Sequence, residues 1–502
     1  MPDSIVPIHA PDGSVYNLLS NSLGLMETMG LTALPLSVVA IPQTLDKIIK
    51  CRLQDNIVRD VTRHLCDYFP NFFVAALYEL ESFFTQHEVE AYIIGGITRD
   101  MLLSSERRFE VEDVDITIQG QAIEVAEQLA KASRNFHLKE VFEQFGTARL
   151  DYKTSVDVDF ASTRIERYMA CASLPEVTER GVPLVRDVVR RDFTINALAL
   201  SLSDLGKVID CHSGLADIES KQIRVLKPVS FFEDPSRIYR MLKFWVRLDF
   251  TPSRDTEYLL TQFMAHIRDV YKGGGDRIKY ELIDFLSLPE SPLKLIVLQY
   301  FIAQRLHLLI DTQLPEVLDL PCSPELLSYR MTRLVERLQE FYEDDWVPEH
   351  TGMIYTLLIL ASFEEDEAWH AAHRLGLTRT ERDALSQVFS LLGENTVNSL
   401  THGAHPPSEI YAVFAPLHFY AACVGLLLSP AFDVTLDAYL LYRTRYEDIR
   451  IELDGDDFLA AGVPQGEAIG QYKQALLAAR LDGEVISRLD ELEWLKAKLV
   501  QS

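Results

Sequence analysis

AYIIGGITRDMLLSSERRFEVEDVDITIQG, residues 91–120, is the stretch whose reading decides the fold. Tyr92-Ile93-Ile94 is a short apolar run that reads as a buried strand. Gly95 and Gly96 follow, then Arg99-Asp100 at the start of an apolar stretch that reads as a helix. After a polar gap, residues 111–118 alternate as a second strand, so Asp113 and Asp115 point to one side of it. Two carboxylates on one face repel unless something divalent sits between them. Glycines let backbone N–H groups approach phosphate oxygens, and a helix N-terminus behind them favours negative charge. A lone Gly-Gly is usually an ordinary turn. Followed by Asp113-x-Asp115, it points to metal-assisted phosphoryl transfer.

Upstream, Phe73 to Val89 reads as an amphipathic helix feeding the first strand. Downstream, Ala122 to Ser133 reads as a helix, and strands are expected at His137–Phe142, Thr147–Tyr152 and Ser155–Phe160. From Asp234 onward 3.6-period stretches dominate, among them Ser236–Leu248, Pro292–Ile310 and Pro407–Leu428. The expected class is α+β: a small domain of helices on a mixed sheet forming a head, then an all-helical remainder. The expected division is an N-terminal extension of unassigned role over 1–70, a head over 71–205, a helical neck over 206–290 and a helical body and tail over 291–502. Gly273-Gly274-Gly275 is a candidate joint.

The 502 residues carry a formal net charge of −27, which argues against loose, charge-driven nucleic-acid binding over the whole surface. The charge is uneven. Between Arg134 and Arg254 stand 19 Lys/Arg against 17 Asp/Glu, a net of +2, so a polyanion site is expected in or beside that segment. Six scattered cysteines without a CxxC pair suit a reduced setting and make zinc a poor candidate. The first residues lack a signal-peptide pattern and no stretch has the apolar length of a membrane span. A cytoplasmic protein with no membrane partner is expected.

Further constellations sharpen the chemistry. Ser155-Val156-Asp157-Val158-Asp159-Phe160 offers another same-face acid pair, and a neighbouring strand would bring one beside Asp113 and Asp115. Asp159 is the expected third carboxylate and Asp157 the structural one. Two Mg²⁺ ions there would activate a hydroxyl and neutralise a leaving pyrophosphate. Arg190-Arg191-Asp192-Phe193-Thr194-Ile195-Asn196 supplies arginines for a triphosphate, and a carboxylate and an amide for ribose hydroxyls. In Glu233-Asp234-Pro235-Ser236-Arg237, Asp234 suits helix capping and shares a face with Arg237. A carboxylate can accept from the exocyclic amino group of cytosine or adenine, and an arginine beside it can donate to the ring nitrogen next to that group. Uracil and guanine would fail both contacts.

Taken together, GGITRDMLL with DVD, RRDFTINALAL, DCHSG, EDPSRIYRMLKFWVRLDF and GGDRIKYELIDFL resemble, in order, the motifs of the class II tRNA nucleotidyltransferase and bacterial poly(A) polymerase family, most closely its CCA-adding branch. The resemblance covers roughly residues 75 to 500. It implies a catalytic head, a neck that reads the base, and a body and tail that grip the tRNA acceptor arm. By similarity, Asp113 and Asp115 hold Mg²⁺; Gly95, Gly96, Arg99, Arg191, Asp192 and Asn196 serve the incoming nucleotide. Glu233, Asp234 and Arg237, with Arg240 nearby, would be the template for C and A, and Arg277 and Glu281 match the last neck motif. The implied reaction adds C and A to the tRNA 3′ end from CTP and ATP, with release of pyrophosphate. Partial addition of CC or A, poly(A) synthesis, and a non-catalytic RNA scaffold are the alternatives. The acidic tail (Asp454, Asp456, Asp457, Glu467) favours a shaped tRNA grip over a general one. The chain departs from the pattern at Ser104, at Arg186-Asp187-Val188 where Glu-Asp-Leu is usual, and at Lys243 where an arginine is usual. No oligomeric state is implied.

Overall fold

The computed structural model describes residues 5–9, 15–19, 57–61, 65, 67–103, 113–154, 156–342, 348–401 and 405–501. The chain divides into two compact units, Met1–Lys272 and Gly273–Ser502, the break falling at the triple glycine.

The first unit holds the sheet. Strands Ile5–His9 (β1) and Val15–Leu19 (β2) form an antiparallel hairpin apart from it. The main sheet is built from Ile57–Asp60 (β3), Glu90–Ile94 (β4), Asp113–Gln119 (β5), Phe136–Phe142 (β6), Thr147–Tyr152 (β7), Val156–Ser162 (β8), Ala199–Ser201 (β11) and Lys207–Asp210 (β12). Its order is β3-β12-β11-β4-β5-β8-β7-β6. Only the β5–β8 pair is parallel among these, which makes the sheet mixed. A separate antiparallel ribbon joins Arg164–Arg167 (β9) to Glu176–Arg180 (β10). Strand β3 lies within the stretch read as an N-terminal extension and pairs with β12, so the sheet recruits residues ahead of position 70.

Helix Asn71–Gln86 (α1) places Phe73, Leu77, Leu80 and Phe84 on one face, as its 3.6 period requires. They pack with Ala126 and Leu129 of Ala122–Ala132 (α3) against Val114, Ile116, Val158 and Phe160 of the sheet. Each such side chain, fully buried, contributes roughly 1.5–3 kcal/mol. Because strand residues alternate, burying Val114, Ile116, Val158 and Phe160 assigns positions 115, 157 and 159 to the other face. The core thus orients the acids.

The second unit is helical among its described residues. Glu349–Leu360 is its central helix, buried continuously from Thr351 to Leu360. The expected helix Pro292–Ile310 ends at Ala303, where Arg305 takes a left-handed conformation (φ 57°) and a 3₁₀ turn follows. The expected Pro407–Leu428 is two helices, Pro407–Phe414 and Phe419–Leu428, bent by 110°. Pro416 lies between them and cannot continue a helical hydrogen-bond ladder. Among the described residues no single helix is long and apolar enough to cross a membrane.

Candidate active site

Strand β4 delivers the chain to Gly95, whose φ of 109° falls where side chains are disfavoured. A Cβ there would lie 3.4 Å from Nη1 of Arg191, so the arginine of the RRD segment lies across the turn. Helix Gly96–Leu103 (α2) starts at once and buries Arg99. Nη1 of Arg99 donates to Oδ1 of Asn196 at 2.6 Å, and its Nε to Asp100 at 2.8 Å. Burial pulls the Arg99 guanidinium below its ordinary value, with Asp100 opposing.

Asp192 is the hub. Its Oδ1 accepts the Phe193 N–H at 2.7 Å and the Asn196 amide at 3.0 Å. Its Oδ2 accepts Nε and Nη2 of Arg240 at 2.8 and 2.7 Å. Burial opposes the charge, but Arg240, the Asn196 amide and Arg237 outweigh it and hold the carboxyl below the usual range. Gly95, Gly96, Arg99, Arg191, Asp192, Asn196 and Arg240 therefore converge, although they come from α2, the RRD segment and helix Ser236–Leu248 (α4). Burial, then the adjacent Arg190, draws Arg191 down to about 10, with Asp187, Asp192 and Asp115 resisting. It stays cationic at neutral pH, and its buried Nε has no hydrogen-bond partner among the described residues.

The acids follow from register. In the parallel β5–β8 pair Asp113 is opposite Asp157 and Asp115 opposite Asp159. Asp115 is exposed. Asp159 stands beside it as expected, but both its oxygens receive Arg149 of β7, Nε at 2.7 Å and Nη2 at 2.6 Å. Asp157 pairs with Lys139 of β6. Among the described residues, no group of three or more His, Cys, Asp or Glu is arranged to hold a metal ion. The donor chemistry of the strand pair nonetheless suits a hard divalent cation, since it sets carboxylates in register and exposes Asp115.

A second cluster adjoins this one. Arg237 donates from Nη1 to Ser230 Oγ at 2.8 Å and from Nη2 to the carbonyl oxygen of Arg190 at 2.8 Å. Glu233 forms an ion pair with half-buried Lys227 at 2.6 Å and lies 3.6 Å from Arg237. Burial lowers Lys227, against the pull of Glu233. Asp234 accepts the Ser236 N–H and hydroxyl, the capping role. Arg277 and Glu281 lie on helix Asp276–Leu286 of the second unit.

Arg190 does not join Arg191 at the glycine turn: its Nε meets Asp187 at 3.0 Å and its Nη1 meets Glu166 at 3.4 Å. Asp187, fully buried, also accepts the Arg164 N–H at 2.8 Å, tying β9 to the RRD segment. Asp187 and Ser230 were not anticipated. The i,i+3 spacing of Asp187 to Arg190 was visible in the sequence; nothing marked Ser230.

Comparison with known proteins accords with this geometry. The Poly A polymerase head domain matches residues 91–224. A CCA-adding enzyme of Lactobacillus johnsonii is 31% identical over 425 residues, covering 83% of this chain and 95% of its own length. This chain belongs to the tRNA nucleotidyltransferase and poly(A) polymerase family. Another nucleotidyltransferase, the A-adding enzyme of Aquifex aeolicus, is 47% identical over 399 residues, which cover 77% of this chain but 44% of that protein. The chain spans about half the length of that relative and of the A-adding enzyme of Geobacter sulfurreducens, 44% and 48% respectively. The nucleotidyltransferase fold is shared with an apo CCA-adding enzyme structure at TM-score 0.72, 24% identity, 88% coverage of this chain and 100% of the other.

Proposed function

We propose that this chain extends the 3′ end of tRNA with C and A, taking CTP and ATP and releasing pyrophosphate. The observation that carries the reading is the meeting of Arg191 with Gly95 in electrostatic reach of Asp115, one strand from Asp159. An arginine over a glycine turn suits a triphosphate, and the acid strand beside it suits the metal that accompanies one.

In this reading the tRNA 3′ hydroxyl attacks the α-phosphorus and gives up its proton to solvent. A new P–O bond forms, the α–β bridging bond breaks, and pyrophosphate carries the charge away. Asp113 and Asp115 would hold divalent cations, Mg²⁺ being the expected ion, which when bound supply charge neutralisation at the triphosphate. Arg191 would bind the phosphates. Asp192, Asn196 and Arg99 would set the sugar, with Arg240 fixing Asp192. Glu233, Asp234 and Arg237 would judge the base. Asp159 would serve as third carboxylate only on release from Arg149. tRNA is a cytoplasmic substrate, and the free cysteines Cys171, Cys211, Cys322 and Cys423 accord with that setting.

A second reading, addition of the terminal A alone, is favoured by the 47% identity to an A-adding enzyme. One experiment separates them. The protein is incubated with tRNAs ending before CCA, after C and after CC, with CTP and ATP singly and together. Extension of all three to CCA supports the proposal, and extension of the CC end alone supports the second reading. Long A tails on unrelated RNA would overturn both. Asp113→Ala and Asp115→Ala should each abolish incorporation with tRNA binding retained; normal turnover would remove the metal assignment.

A further inference from the structure

We infer that Phe244 is a positioning residue of the nucleotide site, one ring that carries both ends of the polar chain Arg99–Asn196–Asp192–Arg240. The inference rests on the nucleotide-binding reading given above. Phe244 is buried on α4. The guanidinium carbon of Arg99 lies 4.8 Å from its ring centroid and that of Arg240 lies 5.6 Å away. Lys243 Nζ is also 5.6 Å from the centroid, and Phe193 meets the ring edge-on at 5.9 Å and 88°.

The two arginines come from separate elements, yet hydrogen bonds connect them: Arg99 to Asn196, Asn196 to Asp192, Asp192 to Arg240. The chain therefore starts and ends on the same ring, and the loop is closed. A guanidinium forms hydrogen bonds only in its plane, so its face is available to an aromatic ring. The negative face of the ring attracts a cation, and the attraction is strongest where water is excluded, as it is at Arg99. Three cations gathered near one phenyl group would repel one another without that face and the Asp192 carboxylate. Phe244 touches no reacting atom in this account. It sets where Arg99 and Arg240 hold Asn196 and Asp192, and thereby how well the nucleotide fits.

The test grades the ring face without changing its size. Fluorinated phenylalanines are incorporated at position 244, from one to three ring fluorines, beside Phe244→Leu and Phe244→Tyr. Binding of ATP is measured by equilibrium dialysis, and KM and kcat are measured on tRNA ending in CC. The Kd and KM for ATP should rise stepwise with fluorination, to about tenfold for Phe244→Leu, with kcat changed less than about threefold. Phe244→Tyr should keep most of the affinity. A purely packing role would lower thermal stability and active fraction while leaving Kd unchanged across the fluorinated series, and that flat series would overturn the inference. Equal loss in Phe244→Leu and Phe244→Tyr would overturn it as well. A wild-type chain that binds ATP but extends no tRNA would end the proposed function and leave the Kd series to judge Phe244; one that binds no ATP would end both.

Discussion

Arg237 Nη2 donates to the carbonyl oxygen of Arg190 at 2.8 Å, one residue before the arginine that lies over Gly95. The segment that resembles a base reader thus leans on the backbone that carries Arg191, and the two cannot shift independently. Ser230, fully buried, holds the other amino group of Arg237. Removing an uncharged partner of a buried charged donor costs about 1.5–3 kcal/mol. Ser230→Ala should therefore free Arg237 to tilt. Incorporation of UTP or GTP relative to ATP and CTP should rise about five- to tenfold, read by single-nucleotide extension with each of the four triphosphates. Arg237→Ala should loosen the choice further while slowing ATP incorporation less than it loosens selection. Unchanged selectivity in both variants would remove base reading from this segment.

Asp187 has a different role, the restraint of a cationic pair. Its buried carboxylate faces Arg190 at 3.0 Å and Arg191 at 4.0 Å while accepting the Arg164 N–H. Asp187→Asn keeps the shape but leaves Arg190 with Glu166 and Arg191 with more distant acids. Breaking a buried ion pair by neutralising one partner typically costs about 3–5 kcal/mol. Thermal unfolding should shift down by roughly 5–9 °C, and the KM for nucleotide should rise as Arg191 leaves the glycine turn. A melting temperature within about a degree of wild type would show that Glu166 alone suffices.

Much of this was legible in the residues because local patterns and global fold agree. Tyr92–Ile94 and the alternation after Asp113 became β4 and β5, and Ser236–Leu248 became a helix with those ends, announced by Asp234-Pro235. Other features depend on partners far away in sequence. Strand β3 is only Ile57–Asp60, and it exists because Lys207–Asp210 offers an edge. The grip of Arg149 on Asp159 follows from hairpin register, which a one-residue slip would invert and which no single strand reveals. Arg305 adopts a left-handed turn inside a long apolar pattern, so periodicity ran on where the helix stopped. Ser230 and Phe244 look like ordinary capping and core residues until the arginines are seen against them.

The hub aspartate predicts an acid-side signature. Burial alone would raise the Asp192 carboxyl; Arg240 first, then the Asn196 amide and Arg237, bring it below its ordinary 3.8. A carboxyl more acidic folded than unfolded contributes stability that is complete above the unfolded value. That contribution is lost as pH falls from 3.8 through the lower folded value. Wild type should therefore exceed Asp192→Asn in stability by a constant margin from pH 7 to about 5, with the margin closing below about pH 4. Urea unfolding across that range measures it. A margin that widens on acidification would reverse the sign of the shift.

Gly274 and Gly275 look interchangeable in the sequence but should respond differently to the same change. Both have positive φ, 74° and 94°. Gly274 donates its N–H to the carbonyl of Leu309, and Gly275 donates to that of Arg374, both at 2.9 Å. A Cβ on Gly274 would lie 2.2 Å from the Arg374 carbonyl oxygen, whereas a Cβ on Gly275 would meet nothing within 4 Å. Gly275→Ala should cost only the positive-φ backbone penalty, about 1–3 kcal/mol, since its φ of 94° and ψ of 159° lie where only glycine is at ease. Gly274→Ala carries that penalty and also drives a methyl into main chain at the end of helix Glu365–Arg374, where no flexible side chain can yield. Its total should reach about 3 kcal/mol or more. Thermal unfolding of the two variants gives the comparison directly. Equal losses would mean that the Arg374 backbone moves aside and that the crossing is looser than a 2.2 Å approach implies. A larger loss for Gly274→Ala would show that the triple glycine is selected for close passage against Leu309 and Arg374, and not for chain flexibility alone.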